Sequence, residues 1–265
     1  MKRSNKIIYF DNGCRICRIG AKAIGAAKLN NGNALTPLQE MDETVSCNID
    51  KARYCNEIAV YDTSTNETRY GVKGMLWVLE EKFGKVVRLF SLPIIFHLIN
   101  FFYHIFSYNR RMIAPVYKKV DGDCEPEFHW GYRLGYIGIV IICVLPIFTY
   151  YSLIFLVYPN VIAAFLGLAI IRKEKRMEFL GHMATILIIE KFLCCVFIFL
   201  LMLDFIDVFS FFFVGILFLA FYFVLVQKLF EKRMKLIELN YLRYAYLPIL
   251  VLYYSIVYYV IIHAL

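Results

Sequence analysis

The sequence predicts two parts of different class: a small α/β domain at the N-terminus, followed by an α-helical transmembrane bundle of about five spans. Three observations lead to this prediction. Hydrophobic residues make up 60% of the chain, more than soluble proteins usually contain. Most charged residues precede Arg133, whereas long apolar blocks follow it. Short patterns typical of strands and helices alternate before that point.

The first part opens with the pattern of a strand, a turn and a helix. Residues 6–11 have the pattern of a short buried strand, Asn12–Gly13 is typical of a tight turn, and residues 14–29 have the pattern of a helix. A second strand is predicted over residues 34–41.

A hairpin and a helix complete this part. Residues 57–62 and 67–71 have strand composition and are separated by the turn 63–66, and a helix is predicted over 73–82. The order β-α-β followed by β-β-α is that of a small thioredoxin-like domain. We assign residues 1–115 to this domain and 116–133 to a linker.

Residues 134–265 are predicted to form the transmembrane domain. A span needs about 20 residues, so three of the four apolar blocks are expected to be one helix each. The first block is longer and is expected to hold two short helices that join near residues 149–152. Pro146 and Pro159 predict kinked or broken helices there. The four blocks are 134–171, 179–203, 208–227 and 244–265.

Basic residues near the spans predict the orientation. Lys and Arg occur before the first span, after the first block and before the last, but not in the connections 149–152 and 204–207. Five spans would put every basic segment and the first domain in the cytoplasm and the C-terminus outside. The apolar run 7–10 is too short for a secretory signal. We therefore expect an integral protein of a bacterial cytoplasmic membrane.

The net charge of +8 does not require a nucleic-acid partner, because basic loops set topology and face anionic lipids. The first domain shows no interleaving of aromatic and basic residues typical of nucleic-acid surfaces. The chain also contains no Rossmann-type glycine fingerprint and no P-loop, so no nucleotide cofactor is expected.

Two cysteines lie two residues apart at the start of the first predicted helix. A CxxC after a strand and a turn is typical of a redox site. The helix N-terminus favours a thiolate, and Arg15 and Arg18 add positive charge. We expect Cys14 to be the nucleophile and Cys17 to resolve the mixed disulfide. Asp11 is expected to cap the turn or to assist proton transfer.

The pattern Asp11-x-x-Cys14-x-x-Cys17 resembles the signature of the DCC family of predicted thiol-disulfide oxidoreductases, whose members have a thioredoxin-like core. Asn12 stands where the family usually has glycine, and Gly13 follows it, so the turn is expected to differ slightly. Thioredoxins proper carry a proline before the third strand, and residues 54–57 contain none.

A second similarity to this family lies in "YHIFSYNRR", where Tyr103, Asn109 and Arg110 match the closing motif. The resemblance ends near Pro115. It implies a redox-active dithiol without a further cofactor, acting as a thiol-disulfide oxidoreductase or protein-disulfide reductase. The implied partners are a thiol or disulfide substrate, which a membrane anchor would hold near the lipid bilayer.

Two alternatives to exchange remain for the CxxC pair: inert cysteines, and a zinc site that would need two further ligands. Cys47 and Cys55 are the nearest cysteines, but their spacing is poor for a second zinc-binding pair. Either could serve as a redox partner, but both are expected to be buried or incidental, and no metal is expected.

Residues 92–108 form an apolar helix with a polar stripe, which predicts a helix on the membrane surface or packed against the core. A metal or cofactor site at His97 and His104 is not favoured, because such stripes are ordinary on amphipathic helices.

Glu190 falls near the middle of an apolar block, beside Lys191, and an ionisable residue there suggests a function. The alternative is pairing within the helical bundle. The second function class is therefore a membrane transporter, or an electron relay through the cysteines of the spans, with the CxxC domain as a regulatory or donor module. The cysteines in the spans are Cys143, Cys194 and Cys195.

Overall fold

The structure is a computed structural model that describes residues 5–30, 32–116, 124–151, 158–201, 208–253 and 255. The chain forms two compact units, Met1–Tyr136 and Ile137–Leu265. The boundary between them falls within the helix Trp130–Tyr151.

A four-stranded mixed sheet forms the centre of the first unit. Across the sheet, the strands are β2 (Ala34–Pro37), β1 (Lys6–Phe10), β3 (Ala59–Asp62) and β4 (Glu67–Tyr70). Strands β1 and β2 are parallel, whereas β3 runs antiparallel to both β1 and β4. This small mixed sheet with its helices is compatible with a thioredoxin-like domain.

Strand β1 is apolar because both of its faces are covered. Ile8 clusters with Val60 and Val78 on one side of the sheet. The next residue, Tyr9, clusters with Ala59 and Tyr61 on the other side. Since successive side chains of a strand point to opposite faces, a central strand must be apolar at consecutive positions. The short apolar run in the sequence therefore predicted this strand correctly.

Within the described residues, six helices lie wholly in the first unit. Two short helices between β2 and β3 were not predicted, because four residues are too few to show a helical period. Strand β2 ends at Pro37, earlier than predicted, and residues 38–40 form a 3-10 turn. The helices are α1 (Arg15–Ala26), α2 (Glu43–Ser46), α3 (Lys51–Tyr54), α4 (Gly71–Phe83), α5 (Lys85–Phe90) and α6 (Pro93–Ile113).

The predicted hairpin is formed by β3 and β4. The Asp62 carboxylate accepts hydrogen bonds from the N–H and the hydroxyl of Ser64 at 2.8 and 2.5 Å. Asn66 has a φ of 56°, a conformation that asparagine tolerates well, and its side-chain oxygen accepts from the Tyr61 hydroxyl at 2.7 Å. These side chains fix the turn and with it the register of the two strands.

Gly71 brings the start of α4 close to α6. Its φ is +58°, and its N–H donates to the Ile58 carbonyl at 2.8 Å. A Cβ atom at this position would clash with Glu57 and would come within 3.1 Å of the Tyr103 ring. Glycine is therefore required where these segments meet.

Helix α6 has 21 residues and is longer than the predicted helix 92–108. One face buries Ile105, Asn109 and Arg110, whereas Ile94 and Leu98 on another face are exposed. The helix thus packs against the core of the first unit on one side only.

A disulfide joins Cys55, at the end of α3, to Cys124, with a Cα–Cα distance of 4.9 Å. The expectation that Cys55 is incidental is therefore wrong. The pair is 69 positions apart, and a pairing at such separation cannot be derived from cysteine spacing alone. The bond is at odds with the predicted cytoplasmic location of this domain, because thiols there are kept reduced.

The second unit consists of helices, and α7 enters it from the first unit. Residues 246–253 are also helical. Buried apolar side chains of α9 and α10, among them Phe179, Ile186 and Phe230, form its core. The longer helices are α7 (Trp130–Tyr151), α8 (Tyr158–Ile170), α9 (Lys173–Leu201) and α10 (Val208–Leu236).

Among the described residues, one segment, Lys173–Val196, is long and apolar enough to cross a membrane. The segments Trp130–Val144 and Asn160–Ile170 are apolar but shorter. A core helix of a soluble protein can meet the same criteria, so the support for a membrane domain is weak and the count of five spans is not supported.

Parts of the predicted span pattern lie outside the described residues. These are positions 152–157 of the first block, 202–203 of the second block, the connection 204–207, and positions 254 and 256–265 of the last block. Helix α7 continues through Pro146 to Tyr151, and α8 contains Pro159 in its first turn. The described residues of the first block therefore form two helices.

Candidate active site

Cys14 and Cys17 lie at the start of α1, shortly after the end of β1. Cys14 is the N-cap residue, and its sulfur accepts a hydrogen bond from the Cys17 backbone N–H at 3.3 Å. The Cys17 thiol donates to the same sulfur across 2.6 Å. Both cysteines are free thiols in this structure. The two sulfurs are therefore adjacent, as dithiol–disulfide exchange requires.

The surroundings stabilise a thiolate on Cys14 and a thiol on Cys17. The hydrogen bond donated by the Cys17 thiol lowers the pKa of Cys14 to about 6, although burial acts in the opposite direction. The Cys17 N–H and the Arg110 charge lower this pKa further, and Asp11 raises it. The same thiol hydrogen bond and burial raise the pKa of Cys17. One proton is thus shared between two neighbouring sulfurs.

Asp11 connects the CxxC turn to helix α6. Its carboxylate accepts a hydrogen bond from the Gly13 N–H at 2.9 Å and pairs with Arg110 at 3.2 Å and Arg111 at 3.4 Å. Its backbone carbonyl accepts from the Cys14 N–H at 3.2 Å. Asp11 is buried, so this pairing offsets the cost of removing its charge from water. The capping role expected for Asp11 is one part of a larger network.

The two arginines also donate hydrogen bonds to the backbone carbonyls of the disulfide-bonded cysteines. Arg110 donates to the carbonyl of Cys55 at 2.9 Å and of Cys124 at 3.4 Å. Arg111 donates to the Cys124 carbonyl at 2.8 Å. The disulfide therefore fixes two acceptors that position the guanidinium groups beside Asp11.

The remaining residues predicted to support the site lie in different places. Arg15 and Arg18 are exposed on α1, and the cation that lowers the pKa of Cys14 is Arg110. Tyr103 accepts a hydrogen bond from the Ile58 N–H at 2.8 Å, and burial raises its pKa to about 12. Asn109 points to the start of α7, where it donates to the Tyr132 carbonyl at 3.0 Å.

Sequence reasoning did not single out Arg111 or Cys124. The only signal for Arg111 was its position next to Arg110 in the closing motif. Cys124 lies in the predicted linker, and no spacing pattern connects it to Cys55.

A cavity of about 410 Å³ lies beside Cys17. It is lined by residues of β1, α1, α4 and α6, most of them apolar, and Asp11 and Arg110 lie at its wall. Cys17 is half-buried and borders the cavity, whereas Cys14 is 0% exposed. The two cysteines therefore differ in access as well as in charge.

Within the part of the chain that the structure describes, three side chains of this site could form part of a metal site. Ligand atoms of Asp11, Cys14 and Cys17 lie within 4.8 Å of one another. Three ligands with an open fourth position would suit a catalytic zinc ion. The Asp11 carboxylate, however, already pairs with Arg110 and Arg111.

The site lies in a region that matches a known protein family. Residues 8–114 match the family model of the DCC1-like thiol-disulfide oxidoreductases. This DCC1-like region extends from β1 through α6 and contains both motifs on which the sequence resemblance rested. The match supports the DCC resemblance and an oxidoreductase activity. It covers less than half of the chain and does not reach the second unit. Neither a curated protein nor a solved structure was found to match.

Glu190 lies in a buried polar cluster of the second unit. Its carboxylate accepts a hydrogen bond from the Tyr246 hydroxyl at 2.8 Å and another from the Asn160 side-chain amide. The Tyr246 hydroxyl also lies 2.5 Å from the Asn160 oxygen. Glu190 therefore has partners from two other helical segments.

Proposed function

We propose that the protein is a membrane-anchored thiol-disulfide oxidoreductase whose Cys14–Cys17 pair exchanges electrons with a thiol or disulfide substrate. In the reducing direction, the pair passes two electrons to a substrate disulfide and becomes a disulfide itself. The observation that carries this proposal is the pair of adjacent free thiols at the N-cap of α1, one of which has a pKa lowered to about 6. The DCC1-like match supports the same chemistry.

The site supplies what this exchange needs from the chain. Cys14 carries the negative charge, and the α1 N-terminus and Arg110 stabilise it. Cys17 carries the proton that must move during the reaction. Asp11 and Arg110 compensate each other's charge and hold the turn to α6. The dithiol itself is the redox group, and we propose no resident metal or other cofactor.

The test is the reduction potential of the Cys14–Cys17 pair and the thiolate pKa of Cys14 in the purified full chain. We expect a reversible disulfide and a Cys14 that ionises well below the ordinary cysteine pKa of 9.0. Cys14→Ser should abolish both signals, whereas Cys47→Ser, which removes an exposed free cysteine, should change neither. If no disulfide forms, the proposal fails.

We further propose that the second unit anchors the redox domain in a bacterial cytoplasmic membrane. The apolar segment Lys173–Val196 and the basic segments of the chain support this. With the N-terminal domain in the cytoplasm and the C-terminus outside, the exposed Cys47 should be protected from an impermeant maleimide in intact cells. Labelling of Cys47 there, absent in Cys47→Ser, would place the domain outside instead, where the Cys55–Cys124 bond would be ordinary.

A second candidate function is a membrane transporter or electron relay that the CxxC domain regulates or feeds. The buried cluster of Glu190, Asn160 and Tyr246 is the observation that favours it. This candidate predicts that Glu190→Gln abolishes function in cells while the Cys14–Cys17 pair keeps its reduction potential. Retained function in Glu190→Gln would leave the cluster a structural role only.

A further inference from the structure

Helix α6 leaves a row of apolar side chains exposed. Ile94 is 85% exposed, and three more exposed residues follow it at intervals of four: Leu98, Phe102 and Phe106. Residues at this interval lie on one side of a helix, so they form a stripe of roughly 18 Å at about 1.5 Å per residue. Single exposed apolar residues are ordinary, whereas a continuous stripe marks a surface that contacts a partner or a membrane.

Helix α5, which packs against α6, adds to this surface. Val86 and Leu89 are exposed and three positions apart, so they share one side of α5. Leu92, also exposed, lies between the two helices, and its N–H donates to the Leu89 carbonyl at 3.3 Å. We call these exposed apolar side chains of both helices the α5–α6 face.

The charge next to the α5–α6 face is positive. Residues 82–120 contain no Asp or Glu. Lys85 and Arg88 belong to α5 and are exposed. Arg88 lies 3.9 Å from Glu80 of α4, but both side chains are exposed, so this pair contributes little. Apolar residues with adjacent cations are typical of surfaces that bind anionic lipids.

A bilayer fits the α5–α6 face better than a protein partner does. Protein interfaces typically carry about one hydrogen bond per 100–200 Å², whereas the side chains of this face have no hydrogen-bonding group. A lipid surface accepts apolar side chains without such groups and offers phosphates to Lys85 and Arg88. The same chain also contains Lys173–Val196, which is apolar and long enough to cross a membrane.

We propose that the α5–α6 face docks on the surface of an anionic lipid bilayer. Ile94 and Leu98 enter the boundary between headgroups and acyl chains, and Lys85 and Arg88 contact the phosphates. This lipid contact belongs to the redox domain itself, is separate from the proposed anchor in the second unit, and goes beyond the proposed exchange function. Helix α6 thus packs against the core on one side and meets the membrane on another.

Docking places lipid next to the redox site. Phe106 belongs to the α5–α6 face and also lines the cavity beside Cys17. This cavity has a volume of about 410 Å³ and a mainly apolar lining. The docked face therefore adjoins the cavity, and the cysteine pair stays close to the bilayer.

The first experiment places a fluorescent reporter on the α5–α6 face. The full chain with Ile94→Trp is reconstituted in phosphatidylglycerol vesicles that contain a lipid with a nitroxide near its headgroup. The unmodified chain gives the background emission of Trp77 and Trp130. After its subtraction, we expect the nitroxide to quench Ile94→Trp about twofold more strongly than Thr44→Trp, or better, because only the former enters the lipid surface.

Thr44 is the matched control position because it is exposed on the opposite side of the sheet. Its neighbour Val45 packs against the cluster that contains Tyr9. Val78 of α4, the helix that α5 and α6 contact, packs with Ile8 on the other side. Equal quenching in Thr44→Trp and Ile94→Trp would overturn the proposal.

A charge variant tests the lipid class. Lys85→Gln combined with Arg88→Gln should weaken docking about fivefold for each charge removed, measured as lost quenching of Ile94→Trp. Lys51→Gln removes an exposed cation from α3 and should change the quenching little. Undiminished quenching in the double variant, or an equal loss in Lys51→Gln, would overturn the anionic lipid as partner.

An apolar variant tests whether lipid or protein covers the face. Leu98→Glu should abolish the quenching of Ile94→Trp, because a carboxylate is costly to bury among acyl chains. Leu98 is exposed, so this variant should fold. If Ile94→Trp is shielded both from the lipid nitroxide and from iodide in the water, a protein surface covers the face and the proposal fails.

A third reporter separates docking from the proposed anchor. Phe192 is exposed within Lys173–Val196, and Phe192→Trp should be quenched by a lipid with its nitroxide near the chain end. Quenching of Phe192→Trp without that of Ile94→Trp keeps the anchor and overturns docking. The reverse result supports docking and overturns the anchor. The reduction potential of the Cys14–Cys17 pair in the same vesicles tests the exchange function independently.

Discussion

Arg110, near the C-terminal end of α6, donates a hydrogen bond to the carboxylate of Asp11, 99 positions earlier in the chain, at 3.2 Å. Asp11 follows β1, and its carbonyl accepts from the Cys14 N–H. The two ends of the DCC1-like region therefore meet at the cysteine pair. This contact connects the charge of Arg110 to the ionisation of Cys14, and the first predictions follow from it.

Arg110→Gln should raise the pKa of Cys14 above about 6. The Arg110 charge favours the thiolate, and removing an opposite charge typically raises a pKa by roughly one unit or more. Arg111 would still pair with Asp11, so the buried carboxylate keeps a partner. Thiolate absorbance against pH measures the change in the full chain, with the Cys14–Cys17 pair reduced and the Cys55–Cys124 disulfide intact. Lys22→Gln, which removes an exposed cation from α1, is the matched control, and an equal shift there would refute a specific role for Arg110.

Asp11→Asn should lower the pKa of Cys14. The negative charge of Asp11 raises that pKa, and the variant leaves the cations of Arg110 and Arg111 uncompensated beside the thiolate. The same absorbance titration measures this decrease in the pKa of Cys14. A pKa above that of the unmodified chain would show that Asp11 acts mainly by holding Arg110 in place.

The stability of the reduced chain should depend on pH through Cys14. Its pKa is about 6 when folded, against an ordinary value of 9.0. Because the folded pKa is depressed, ionisation of Cys14 adds stability as pH rises from about 6 to 9, and this stability is lost as pH falls back to 6. The raised pKa of Cys17 has the opposite effect on stability. Above the ordinary cysteine pKa it lowers stability as pH rises, so no further gain in stability is expected there.

The measurement is the difference in unfolding temperature between the unmodified reduced chain and Cys14→Ser across this pH range. We expect the difference to grow with pH between about 6 and 9. A difference that is constant with pH would contradict a depressed pKa at Cys14.

Loss of the Cys55–Cys124 disulfide should destabilise the first unit. The bond closes a loop with a sequence separation of 69, and the chain-entropy account gives roughly 4 kcal/mol for a loop of that length. Cys124→Ser should lower the free energy of unfolding by about this amount in denaturant titration. Cys47→Ser removes a free, exposed cysteine and should change the free energy of unfolding little. Equal stability of both variants would show that the bond does not constrain the unfolded chain.

Metal analysis of the purified chain should find no stoichiometric zinc. Asp11 is the third ligand that a metal at Cys14 and Cys17 would need, and it is already paired with two arginines. Zinc that purifies with the chain and is lost in Cys14→Ser would replace the dithiol proposal with a metal site.

The sequence alone determined the features that depend on neighbouring residues. The apolar run before Asp11 predicted a strand buried on both faces, and the cysteine spacing placed a dithiol at a helix start, because both patterns are local. The hairpin was also predicted, since its turn residues and flanking strands are close together in the chain. Strand β2 was predicted too long, and the two short helices after it were missed.

Only the tertiary structure decided which distant groups meet at the cysteines. It placed Arg110 beside Asp11, paired Cys55 with Cys124, and left Cys17 rather than Cys14 at the cavity. Such contacts depend on how helices and strands pack in three dimensions. Residues that are 99 or 69 positions apart in the chain have no common local pattern from which their proximity could be predicted.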